Sequence, residues 1–109
     1  MKNLDHLPVA CSLGDAELGE REATLLAQFR PGVVETEELE DGYAFRIPGD
    51  ASGIRLVAEL IVAERECCPF LAFELAAEPN KGPIILRVTG PNGAKEFLRT
   101  ILYKTDDRT

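Results

Sequence analysis

Cys67 and Cys68 stand side by side at the end of a helix-patterned segment, and a third cysteine, Cys11, lies far upstream. A thiolate is both a nucleophile and a soft ligand, so adjacent thiols raise metal binding and redox chemistry first. Such donors favour soft or borderline ions: zinc, copper(I), mercury(II) or a metalloid. Three thiolates without a strong fourth ligand suit a low-coordinate soft ion better than a closed tetrahedral zinc site. His6 could supply a fourth ligand, from a terminal arm.

Glu64 and Arg65 precede the pair on the same segment. They project onto an arc that Val57, Ala58 and Ile61 make apolar one or two turns earlier. Charged groups on such an arc make sense if the helix end emerges at a cleft lined by Glu64, Arg65 and the cysteines. Arg65 would lower a thiol pKa, while the negative end of the helix dipole opposes it. The expected site is therefore Cys67, Cys68 and Cys11 as metal ligands, with Glu64 accepting beside them and Arg65 tuning the thiols.

Two other readings of the same residues stand beside this one. Buried free cysteine is common, so all three could simply pack, in a module that binds a small molecule or a partner. Alternatively, one low-pKa thiol would make a redox sensor, although a disulfide between neighbours strains the intervening peptide. There is no CxxC, no spaced Cys/His quartet and no nucleophile elbow. No catalytic residue is assigned, and no other cofactor than a soft metal ion is implied.

The elements that must position these residues follow from periodicity. Ser12 or Gly14 can cap a first helix running to about Phe29, with Leu18, Glu22, Leu25 and Phe29 at helical spacing and Pro31-Gly32 ending it. Val33 to Glu40 reads as a weak acidic edge strand, and Asp41-Gly42 as a hairpin turn wanting positive φ. Tyr43, Phe45 and Ile47 then alternate as a half-buried strand should. A second helix spans about Ala51 to Cys68, its core face expected at Ile54, Val57, Ala58 and Ile61, and Pro69 stops it. Leu71, Phe73 and Leu75 share one strand face; Ile84, Leu86 and Val88 share another, across a Pro79–Gly82 turn. A last helix is expected from near Pro91, with Lys95, Arg99 and Lys104 on its exposed side. The order α-ββ-α-ββ-α predicts an α+β fold: a four-stranded antiparallel sheet with helices packed on one face.

Composition sets the outer bounds. The chain has 109 residues, 45% of them hydrophobic and 28% charged, with a formal net charge of −7. That is the length of a single domain, 1–109, with residues 1–11 an N-terminal arm and 105–109 a polar tail. Scattered basic residues in an acidic chain argue against nucleic acid as a partner. No apolar run approaches the roughly 20 residues that cross a bilayer, so no membrane partner is expected. The N-terminus has no apolar signal core, and an odd cysteine count does not make a disulfide scaffold; a cytoplasmic location is expected. The acidic strand offers an edge at which a homodimer could form.

The segment Glu64-Arg65-Glu66-Cys67-Cys68-Pro69-Phe70, followed by Gly82-Pro83-Ile84-Ile85-Leu86 and Thr89 through Leu98, resembles a group of small bacterial proteins. Their shared pattern is Glu-Arg-x-Cys-Cys-Pro-Phe, and Cys11-Ser12-Leu13 before Ala16-Glu17-Leu18 is similar to it as well. The group has no established activity, so the resemblance carries no catalytic residue over. It implies that Cys11 belongs with Cys67 and Cys68 as a functional set; the reading of the thiols themselves makes that set a thiolate-based soft-metal or metalloid binding domain.

Overall fold

The computed structural model describes residues 16–102, with side chains placed from 20 to 100. The arm, His6, Cys11, the caps at Ser12 and Gly14, and the polar tail lie outside the described residues. The elements are α1 (Ala16–Phe29), β1 (Glu35–Leu39), β2 (Gly42–Ile47), α2 (Ala51–Cys67), β3 (Ala72–Ala77), β4 (Ile84–Thr89) and α3 (Ala94–Leu102). This is the α+β order read from the sequence. The four strands form one antiparallel sheet in the order β1-β2-β4-β3, so the inner strand of each hairpin pairs with that of the other.

Local chemistry explains the element ends. Asp50 caps α2: its side chain accepts from the Gly53 N–H at 2.8 Å, satisfying a donor that has no intrahelical partner. The first hairpin turns on Glu40 and Asp41, with Leu39 paired to Gly42, rather than on Asp41-Gly42. Gly42 does not adopt positive φ; it is required because a Cβ there would lie 1.9 Å from the Val88 carbonyl oxygen across the β2–β4 seam. The second hairpin does use positive φ, at Asn80 and Lys81, closed by Gly82 N–H donating to the Pro79 carbonyl at 3.1 Å. Two successive left-handed residues match the right-handed twist of the flanking strands. α3 starts at Ala94 and not near Pro91, because Gly93 at φ 93° cannot belong to a helix.

Register fixes the faces. Tyr43, Phe45 and Ile47 pair with Val88, Leu86 and Ile84, putting six buried side chains on one face of the central strands. The opposite face carries exposed ion pairs, Arg46 with Glu35 at 3.3 Å and Arg87 with Glu74 at 3.9 Å. Above the apolar face, Leu26 and Phe29 of α1, Leu60 of α2 and Leu98 of α3 join Phe45 and Leu86 around one interior void. Phe29 meets Phe45 edge-to-face at 5.6 Å, and Phe70 meets Phe97 at 5.2 Å. α3 is fastened by the side expected to be merely exposed. Arg99 donates to the Tyr43 hydroxyl at 3.2 Å, and Lys95 pairs with Glu38 while its ammonium stands 5.9 Å from the Tyr43 ring centre. Among the described residues, no helix is long and apolar enough to cross a membrane.

Two substitutions test this account by denaturant unfolding. Asp50→Ala should cost about 1 kcal/mol, largely restored by Asp50→Ser. Gly42→Ala should cost about 1–3 kcal/mol or more, because the new methyl forces β2 off β4.

Candidate metal centre

The inward face of α2 is built from Val57, Leu60, Ala63, Glu64 and Cys67. It is rotated from the arc expected from apolar spacing: Ile54 is 38% exposed and Ala58 is also exposed. The rotation turns Glu64 into the protein and swings Arg65 out. On α1 the buried stripe is Glu22, Leu25, Leu26 and Phe29. Glu22 and Glu64 thus face each other across the α1–α2 seam, which an exposed Arg21–Glu59 pair at 2.9 Å staples from outside.

Cys68 completes the group. It sits just past the last helical residue with φ −130° and ψ 73°, and its N–H donates to the Glu64 carbonyl at 2.6 Å. Leaving the helical path frees its side chain from the wheel position that regular geometry would give it. One ligand atom each from Glu22, Glu64 and Cys68 lies within 4.8 Å of the others. All three residues are buried, with exposures of 8%, 5% and 0%. Around a tetrahedral zinc, with Zn–O of about 2.1 Å and Zn–S of about 2.3 Å, donors stand roughly 3.5 Å apart. Small side-chain movements would bring the group to that spacing.

The electrostatics of the pocket are unbalanced. Glu22 Oε2 and both carboxyl oxygens of Glu64 are sealed from solvent without a well-formed hydrogen bond. A buried carboxylate in that position costs several kcal/mol unless it is neutralised or paired. Burial is the main reason that the Glu64 pKa is pushed up to about 8; the neighbouring Glu22 carboxyl adds to the rise, and the Cys68 thiol partly counters it. With nothing else bound, Glu64 holds a proton at neutral pH, and a cation is the alternative means of neutralising the pocket.

The residues singled out from sequence therefore separate. Cys68 and Glu64 come together. Cys67 is fully buried in the core beside them but is outside the three-donor group. Arg65 is exposed on another face of α2 and does not enter it. Cys11 lies outside the described residues. Neither described cysteine lines a surface cleft, as both are fully buried thiols. Helical spacing places Glu22 in an apolar stripe with Leu25 and Phe29 and does not by itself assign it as a ligand. Pairing it with the misplaced charge of Glu64 was the available signal.

No protein family, no curated protein and no solved structure matches this chain. The reading of the site thus stands on its donors and their surroundings.

The raised Glu64 pKa carries a definite pH dependence for the metal-free protein. Its folded value lies above the ordinary 4.5, so the native state binds the extra proton between about pH 4.5 and 8. This contribution to stability is full below that window and is lost as pH rises through it, by at most about 1.4 kcal/mol per pH unit. Urea unfolding of chelator-treated protein across this range should show the decline, and Glu64→Gln should flatten it.

Proposed function

We propose that the protein is a divalent metal-binding domain that holds a borderline ion of the zinc class between Glu22, Glu64 and Cys68. The observation that carries this is the set of three buried donors with carboxylate oxygens that no protein group neutralises. Two carboxylates and one thiolate form a mixed hard–soft set, and three protein ligands leave a fourth tetrahedral position for water or another donor. This refines the expectation of a three-thiolate soft-metal site. With oxygen supplying two of the three donors, zinc or cadmium fits better than mercury(II), copper(I) or arsenite. Binding releases the Glu64 proton and the thiol proton, so affinity rises with pH.

A redox-sensor reading is less well supported, because a reactive cysteine needs an accessible, low-pKa thiol and Cys67 and Cys68 are both fully buried. Zinc titration of reduced protein under anaerobic conditions decides the matter. One equivalent of zinc should bind, weakened by at least about tenfold in Glu64→Gln and in Cys68→Ser, but not in Cys67→Ser. Cadmium should give a thiolate charge-transfer absorption that disappears with Cys68→Ser alone. Zinc affinity unchanged in Glu64→Gln and Cys68→Ser would overturn the proposal. Tight arsenite or mercury(II) binding that needs Cys67 would restore the vicinal-dithiol reading instead.

A further inference from the structure

Most of the described arginines have a polar partner. Arg21, Arg46 and Arg87 each pair with a carboxylate, and Arg99 donates to Tyr43. Arg65 has no ion-pair partner among the described residues, in a chain with 19 acidic and 12 basic side chains. Its surroundings are equally unusual. Arg65 borders a cleft of about 450 Å³ whose other lining side chains, Ile61, Pro69, Leu71, Phe73 and Leu75 among them, are all apolar. That volume falls within the range of small-molecule sites, roughly 300–1,000 Å³.

The cleft follows from how α2 ends. Pro69 cannot continue the helix, and the chain doubles back with the Leu71 N–H bonded to the Cys68 carbonyl at 3.1 Å. β3 then runs out as an edge strand, with the last turns of α2 beside its apolar face. Phe73 is half-buried and Leu75 is 42% exposed, with no strand beyond β3 among the described residues. The opposite edge, β1, is acidic along its length; β3 has a single charge, Glu74, which turns to the other face and toward Arg87.

We propose that this cleft binds a small amphiphilic carboxylate, its anionic head on Arg65 and its apolar body along Ile61, Phe73 and Leu75. Charge complementarity selects the class. The single charged lining residue is an unpaired guanidinium, which matches a carboxylate as a two-pronged donor. The apolar floor gives a hydrocarbon or aryl body a place out of water. An amine of the same shape would meet the wrong charge. Arg65 opens on the outer side of α2 and Glu64 on the inner side, with Ile61, Leu71 and Phe73 forming the wall between them.

Sodium octanoate is a direct test, followed in 1H–15N spectra of the labelled protein. Saturable shifts should centre on the amides of Ile61, Phe73 and Leu75. Affinity should fall at least about tenfold in Arg65→Gln and be at least about tenfold weaker for octylammonium. Arg65 is exposed, so the variant should keep the wild-type spectrum elsewhere. Leu75→Asp should abolish octanoate binding independently. Equal affinity for octanoate and octylammonium, or undiminished binding in Arg65→Gln, would overturn the proposal. So would shifts at these amides that grow with protein concentration without octanoate, which would mean that a second copy of the chain covers the cleft.

Discussion

Two carboxyl groups cannot both carry full charge when they face each other in a space that water does not reach. That constraint governs the seam between α1 and α2. Either a proton or a cation must sit between Glu22 and Glu64, and the surrounding architecture holds both options open. Leu25, Leu26 and Phe29 on one helix, with Val57 and Leu60 on the other, bury the pocket deeply enough to make neutralisation compulsory. A core of this size has little apolar area to spare, so placing two acids within it is costly and calls for a function.

α2 is the element through which most of the protein's chemistry is organised. Its sequence is apolar over more than one face, and the structure uses the faces differently. One arc, through Val57, Leu60, Ala63 and Cys67, packs inward. Another, through Ile54, Ala58 and Val62, is left to solvent. At the C-terminal end this division falls between two neighbouring residues, one acid turned in and one base turned out. The break at Cys68 and Pro69 then delivers a thiol to the inner pocket and shapes the outer cleft. Both features stem from a helix that stops where it does.

The element order and the pairing of each hairpin were legible in the sequence, because alternation in Tyr43–Ile47 and Ile84–Val88 admits only one buried face. What resisted reading was rotation about an axis. Ile54, Val57, Ala58 and Ile61 have the helical spacing of a core face, but apolar side chains on two arcs leave the wheel of α2 without a unique solution. The site suffered from the same ambiguity. Cysteine drew attention to 67 and 68 together, whereas only departure from the helical path distinguishes them in space. Glu22 shows in the sequence only as a carboxylate in an apolar stripe; its importance depends on what stands opposite, a relation between segments some forty residues apart. The turn signal at Asp41-Gly42 points to the right glycine, but Gly42 answers a crowded carbonyl on β4, which local sequence does not reveal.

The β2–β4 pairing has a further consequence, for the order of assembly. Each half of the chain contributes a helix and a hairpin, yet the two central strands come from different halves and join across about 40 residues of intervening chain. Until that seam closes, Phe45 and Leu86 lack each other. Local hairpins and helices can form early, but the loop-closure entropy of the seam has to be met before the core exists. During synthesis on the ribosome, the first half must therefore wait, with its apolar face open, until β4 has left the exit tunnel. The continuous apolar face of the sheet is thus a product of the final folding step.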